Sequence, residues 1–161
     1  MKRIFRLQYT VLLALTLCFL YSCQHPKPDN LNNEASILEL GDLHENPLLM
    51  GVITTSVNLN NKTMSTLYGN TIAIDFAKKN SGIKYPEGSV LYEVTWEQQP
   101  DSVWFGANIP GVLISVEKID FNKESAPSYT IYEGSPLRTS KNNNANDRLD
   151  RIISQRFAVT P

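Results

Sequence analysis

The sequence predicts an α+β domain, in which an antiparallel β-sheet carries helices packed on one face. The stretch SVLYEVTWEQQ (89–99) alternates with a period of two over eight residues, which is typical of a strand. Two other segments carry apolar side chains at helical spacing. The elements follow the order strands, helix, strands, helix. Because this order contains no βαβ alternation, it favours an antiparallel sheet.

The first predicted strands form a hairpin. Residues 48–59 (LLMGVITTSVNL) are rich in β-branched side chains and run through Asn60-Asn61 into KTMSTLY (62–68). Asparagine tolerates the positive φ that hairpin turns need. We therefore expect the turn to lie at these two asparagines.

Two further strands follow the alternating one. In VLISVEKIDF (112–121), Val112, Ile114 and Val116 occupy even positions, whereas Ile119 and Phe121 occupy odd ones, which predicts a β-bulge near Glu117-Lys118. SYTIYEG (128–134) predicts a last short strand. The segment 138–145 contains three consecutive asparagines and is expected to be an exposed loop.

Both predicted helices carry one apolar face. Asn70 is a good N-cap for the first helix. The apolar face of this helix consists of Ile72, Ala73, Phe76 and Ala77. The second helix spans 147–158, and its stripe consists of Leu149, Ile152, Ile153 and Phe157. We expect both faces to pack on the sheet.

The N-terminus is typical of an export signal. Lys2, Arg3 and Arg6 precede an uncharged apolar run at 9–20. Twelve helical residues rise about 18 Å, which is short of the ~30 Å core of a bilayer. This length suits a signal peptide, predicted at 1–22, better than a permanent span.

The next residue is expected to carry lipid. Leu20-Tyr21-Ser22-Cys23 resembles the lipobox of bacterial lipoproteins. In that family the chain is cut just before the cysteine, and both its thiol and its new amino terminus are acylated. The resemblance implies that Cys23 is the lipid attachment site and that the membrane is a partner through this anchor. Two acyl chains hold a protein firmly, whereas one binds only marginally.

Other uses of Cys23 lack support in the sequence. Cys18 lies within the predicted signal, so its removal leaves no intramolecular disulfide partner. Gln24 does not resemble the aspartate associated with inner-membrane retention, so outer-membrane placement in the cell envelope is favoured, with the leaflet open. The polar stretch that follows predicts a flexible tether at 23–35, and a single domain at 36–161.

The charge balance excludes a nucleic-acid partner. Of the 15 basic residues, three lie in the first six positions; the other 12 face 16 acidic residues, a net charge of −4. Nucleic-acid binders need clustered Lys and Arg.

Several phrases resemble the cytochrome P-460 family: TMSTLYGN (63–70), YPEGSVLYEVTWEQQPD (85–101), WFGANIPG (104–111), YEGSPL (132–137) and SQRFAVTP (154–161). The resemblance implies a cytochrome P-460-like domain. Well-understood members are periplasmic haem proteins that oxidise hydroxylamine or bind nitric oxide, and they attach haem through C-x-x-C-H. This chain contains no such motif.

No cofactor is therefore expected. Covalent haem needs two thiols and a histidine. His44 stands in a loop-like setting (GDLHENP) and is not expected to ligate haem non-covalently. Transition-metal sites generally draw on several His and Cys residues, so no metal site is expected either. No catalytic residue stands out, and whether the chain is an enzyme stays open.

The aromatic, glycine-rich loop VWFGANIPG (103–111) is the candidate binding surface. Trp104, with Phe105, Tyr68 or Tyr132, is the candidate for a pocket or partner surface that takes a small apolar ligand or a protein partner. The alternative is that Trp104 and Phe105 serve packing and loop architecture. Glu93 and Glu97 share one face of their strand, and both are expected to be solvated. Two functions remain: a membrane-tethered, non-enzymatic binding or interaction module, or a redox or gas-binding protein with loosely held haem.

Overall fold

Six strands form one antiparallel sheet in the computed structural model, which describes residues 32–79, 84–122, 126–141 and 145–158. Each strand pairs with the next one along the chain, in the order β1 to β6. The strands are Gly51–Asn58 (β1), Thr63–Gly69 (β2), Val90–Pro100 (β3), Asn108–Asp120 (β4), Ser128–Glu133 (β5) and Arg138–Ser140 (β6). The predicted signal peptide and Cys23 lie outside the described residues.

Within the described residues, two α-helices accompany the sheet, Thr71–Lys79 (α1) and Ala145–Ile153 (α2). Short 3-10 turns occur at Asn33–Ala35 and Pro47–Leu49. The predicted α+β class with an antiparallel sheet is confirmed. Among the residues that the structure describes, no helix is long and apolar enough to cross a bilayer.

Both helices pack on the same face of the sheet. The side chain of Asn70 caps α1, since its Oδ1 accepts a hydrogen bond from the backbone N–H of Ala73 at 3.0 Å. Ala73 and Ala77 are buried against the sheet, whereas Ile72 is largely exposed. The stripe of the second helix contributes to the same core, where Ile152 is fully buried.

The opposite face of the sheet is covered by residues 35–50. Ile37 and Leu43 pack there on Tyr92 and Trp96 of β3. The indole N–H of Trp96 donates to the carbonyl oxygen of Ala35 at 3.0 Å. Regular structure therefore begins within the segment expected to be a tether, and the sheet has a core on each face.

The bulge of β4 lies at Ile114. Ser115 pairs with Thr95, but Leu113 pairs with Trp96, so Ile114 is the extra residue. A second irregularity follows further along β3. Two bulges so close together bend this end of the sheet.

The bulge predicted near Glu117-Lys118 is wrong, since the pairing of β3 and β4 is regular there. The change of phase has another cause. Val116 is buried in the core under residues 35–50, and Ile119 in the core under the helices. A strand that is covered on both faces need not alternate.

The predicted hairpin of β1 and β2 is confirmed, with a different residue at positive φ. Lys62 has φ 52° and is the non-glycine residue with positive φ in the described ranges. The side chain of Asn58 accepts the backbone N–H groups of Asn60 and Asn61, each at 3.1 Å. The side chain of Asn58 therefore caps the turn, and Asn60 and Asn61 contribute their backbone N–H groups.

The loop expected at 138–145 is wrong at its start, because Arg138–Ser140 form the edge strand β6. The carboxylate of Asp42 accepts the backbone N–H of Thr139 at 3.0 Å and contacts Nη1 of Arg138 at 2.7 Å. These two contacts hold the pKa of Asp42 below its usual value. A three-residue polar strand is too short to show a periodic pattern.

Candidate functional site

Two glutamates face each other across the central strands of the sheet. Glu93 of β3 and Glu117 of β4 are direct cross-strand partners, and both side chains are 0% exposed. The expectation that Glu93 is solvated is wrong, because α2 covers it; Glu97, four residues further on, is exposed as expected. Like charges directly opposite each other destabilise a sheet, so this pair needs compensation.

Two arginines of α2 supply that compensation. The guanidinium of Arg148 contacts both carboxylate oxygens of Glu117, with Nε 2.9 Å from Oε2 and Nη2 on Oε1. Nη2 of Arg151 donates to Oε2 of Glu93 at 2.5 Å, and Nη2 of Arg148 lies 3.6 Å from the same oxygen. The four side chains carry two charges of each sign.

Neutral donors complete this network. The hydroxyl of Tyr129 donates to Oε2 of Glu117 at 2.5 Å, and Nε2 of Gln155 donates to Oε1 of Glu93 at 2.6 Å. Burial lowers the pKa of Arg148, the positive charge of Arg151 lowers it further, and Glu93 opposes both effects. Every carboxylate oxygen of the pair thus has a donor, as buried charges require.

The helix-facing side of the sheet changes its chemistry along the strands. Under the helices it is apolar, with Leu91 and Ile119 in the core. The two glutamates come next, and two residues further along each strand stand Thr95 and Ser115. These two hydroxyl residues continue the face beyond the glutamates, and Ser115 is itself buried.

This end of the sheet forms a groove of about 690 Å³, which we call the hydroxyl groove. It is lined by five hydroxyl side chains, those of Ser56, Thr63, Ser65, Thr95 and Ser115. The asparagines of the β1–β2 hairpin, together with Val57, Leu59 and the bulged Ile114, form its rim. Arg148 and Arg151 line it as well, with side chains 35% and 46% exposed.

The hydroxyl groove offers many hydrogen-bond donors. Each hydroxyl can donate or accept, and the hydroxyls of Ser65 and Thr95 lie 2.9 Å apart. Arg151 carries five N–H donors, of which one Nη2 proton serves Glu93. Both arginines line the groove, and neither of the two buried glutamates does. The arrangement suits a ligand that accepts hydrogen bonds.

The aromatic candidates from the sequence lie elsewhere. Trp104 is 70% exposed and Phe105 fully exposed, both on the loop between β3 and β4. Tyr132 is buried in the core under residues 35–50, and Tyr68 packs against that core. The structure brings the two tyrosines into one core and leaves the two other aromatic residues in solvent. None of the four lines the hydroxyl groove.

The residues of the hydroxyl groove do not fit a haem. The groove has no His, Cys or Met side chain among its lining residues, and hydroxyls and guanidiniums occupy its walls. His44 lies exposed in a bend between the two 3-10 turns. Across the described ranges, no three His, Cys, Asp or Glu residues group as metal ligands.

Two signals in the sequence point to the site that the prediction missed. Glu93 lies on a central strand, and the residues directly before and after it, Tyr92 and Val94, are core residues. Arg148 and Arg151 stand three residues apart, beside the apolar stripe of their helix. Carboxylates on an inner strand, and arginines at the border of a buried stripe, together indicate a buried ion-pair network.

No protein-family model matches this chain, and no curated protein is significantly similar to it.

Proposed function

We propose that this protein is a lipid-anchored binding module of the cell envelope, which holds a small anionic ligand in the hydroxyl groove. One observation carries the choice of ligand: two arginines line a groove rich in hydroxyls, and no acidic residue lines it. Arginine presents a planar fork of donors that matches carboxylate and phosphate oxygens. The module is proposed to be non-enzymatic.

The buried glutamates support this choice because they position the arginines. Arg148 is fixed by two contacts with Glu117 and one with Glu93. Arg151 makes a single contact with Glu93, so most of its donors remain for a ligand. A guanidinium that is already held in place loses little conformational entropy when it binds.

The anionic ligand replaces the small apolar ligand expected from the sequence. Apolar side chains contribute only Val57, Leu59 and Ile114 to the groove, and these lie beside asparagines and hydroxyls. An apolar ligand would remove the hydroxyls from water without giving them partners, which is costly. A carboxylate or phosphate group would accept their hydrogen bonds.

A kinship with the cytochrome P-460 family is part of the proposal, and it is supported by the sequence phrases alone. Two of these phrases supply the site: TMSTLYGN contains Thr63 and Ser65, and SVLYEVTW contains Glu93 and Thr95. In this chain the phrases support anion binding rather than haem chemistry, because the groove residues offer no haem ligand.

Titration with inorganic phosphate and with succinate tests the groove. We expect saturable binding, followed by calorimetry, and weaker binding for Arg151→Gln. A hydrogen bond to a charged group contributes about 1.5–3 kcal/mol, and its loss is expected to weaken binding by roughly ten- to a hundredfold. Thr95→Val removes a groove hydroxyl without a change of charge and should weaken binding less.

Arg138→Gln is the matched control for this titration. Arg138 is also an exposed arginine paired with a carboxylate, that of Asp42, and it does not line the hydroxyl groove. Its replacement should leave anion binding unchanged. If neither anion binds the wild-type protein, or if both arginine variants weaken binding equally, the assignment of the groove is wrong.

Cys23→Ser tests the lipid anchor. The predicted anchor and the sheet are separate along the chain, so the variant should lose its acyl groups and its membrane retention while its domain stays folded. Labelling with a palmitate analogue and membrane fractionation measure the loss, and circular dichroism checks the fold. A Cys23→Ser protein that still takes up the label and sediments with membranes would refute the lipoprotein assignment.

A further inference from the structure

We infer that the loop between β3 and β4 inserts Trp104 and Phe105 into the interface of the bilayer to which the protein is anchored. The partner is the lipid surface, and the loop sets the orientation of the domain on it. This inference rests on the lipid anchor of the proposed function and is independent of the hydroxyl groove.

Hydrogen bonds hold the loop between β3 and β4, with its apolar side chains, in a defined conformation. Oδ1 of Asp101 accepts the backbone N–H groups of Val103 at 2.7 Å and Trp104 at 3.3 Å. The backbone of Asp101 donates to Ala107 at 2.9 Å, and that of Ala107 donates to Trp104 at 3.0 Å. These bonds close the loop into a turn. This hydrogen-bonded turn therefore holds the aromatic residues of the loop in exposed positions.

Three consecutive side chains at the tip are apolar and exposed. Val103, Trp104 and Phe105 are all largely or fully exposed, and Gly106 adopts φ 82° directly after them. Asp101 is the charged residue of 101–107, and it caps the loop from inside. Tryptophan and phenylalanine side chains on such an uncharged tip favour the interface between headgroups and acyl chains.

The position where the chain enters the domain favours the lipid surface as the partner of this tip. Nδ2 of Asn32, the first described residue, donates to the carbonyl oxygen of Pro110 at 2.5 Å. Pro110 lies two residues into β4, which begins directly after the loop. The chain thus enters the domain at the same end of the sheet as the aromatic tip.

The length of chain before Asn32 limits how far the tip can be from the membrane. Asn32 follows Cys23 by nine positions, and a chain of this length spans at most about 30 Å when fully extended. An acylated Cys23 therefore keeps this end of the sheet within about 30 Å of the bilayer. Three side chains bind a membrane weakly on their own, but the anchor gives them a high effective concentration at its surface.

Tryptophan fluorescence of the full-length acylated protein in phosphatidylcholine vesicles tests the inference. Trp96 is buried in the core, so lipids brominated along their acyl chains should quench Trp104 selectively. We expect a blue shift, a loss of Trp104 emission with brominated lipid, and protection of Trp104 from aqueous acrylamide. The variant Trp104→Phe should lose the response to brominated lipid.

Leu49→Trp in the Trp104→Phe background is the matched control. Leu49 is 86% exposed and lies just before β1. The first residue of β1, Gly51, pairs with the last residue of β2, Gly69, so this end of the sheet is opposite to the loop between β3 and β4. A tryptophan at this position should keep its aqueous emission and stay accessible to acrylamide.

Mass spectrometry of the same sample separates failure of the inference from failure of the anchor. If Cys23 carries acyl chains and Trp104 stays accessible to acrylamide, or is quenched by brominated lipid no more than the reporter at 49, the insertion of the tip is refuted and the anchor stands. If Cys23 carries no acyl chain, the anchor is refuted and the inference falls with it.

Discussion

Replacing Arg148 by methionine is expected to lower the free energy of unfolding by about 3 kcal/mol, the lower end of the range for breaking a buried ion pair. The reason lies in its partner. Glu117 is fully buried, and without the guanidinium its charge keeps only the hydroxyl of Tyr129 in the described contacts. The lower end applies because Arg148 itself is 35% exposed, so water can partly replace it. Urea denaturation of both proteins measures the difference.

Two further variants decide whether the uncompensated charge is the cause. Glu117→Gln combined with Arg148→Met removes both charges and should recover much of the loss, since a neutral pair has less desolvation to compensate. Glu97→Gln changes an exposed glutamate of the neighbouring strand β3 and should cost within about 0.5 kcal/mol. A double variant as unstable as Arg148→Met alone would show that packing, rather than charge, is responsible.

Ile152→Ala is expected to cost about 2–5 kcal/mol, because it leaves a cavity between α2 and the sheet. Ile152 is fully buried in the core that it shares with Leu91 and Ile119. Ile153 is only partly buried, so the same change there should cost less. Both losses are measured as shifts of the denaturant midpoint, provided that the slope of the unfolding free energy against denaturant concentration is unchanged.

Ile72→Ala provides the comparison at an exposed site. Ile72 also lies on a helix, but its side chain is largely exposed, so its truncation should have a small effect. If Ile152→Ala has as small an effect as Ile72→Ala, then α2 does not pack on the sheet as described.

The regular elements were predictable because their patterns are local. The apolar stripes of the two helices and the alternation of β3 each depend on residues a few positions apart. The cap at Asn70 is likewise local, and the structure confirms it. The sequence did not predict that residues 35–50 cover the face opposite to the helices. The regular structure of this segment consists of short 3-10 turns, which show no repeating pattern.

The site was harder to predict because it depends on contacts between distant residues. Glu93 and Arg151 are 58 positions apart, and only the docking of α2 brings them together. A glutamate on a strand is solvated unless a partner covers it, and the sequence of the strand does not contain the partner. The four aromatic candidates do not form one pocket, because Trp104 and Phe105 are exposed whereas Tyr132 and Tyr68 belong to the core under residues 35–50.

The sequential order of the strands has a consequence for how the chain folds. Each strand pairs with its neighbour in sequence, so every strand pairing forms between successive elements of the chain. Residues 35–50 cover one face and the two helices the other, and α2 comes last along the described chain. Until α2 is made and docks, Glu93 and Glu117 face solvent rather than arginine. The two carboxylates therefore gain their buried ion pairs only when α2 packs on the sheet.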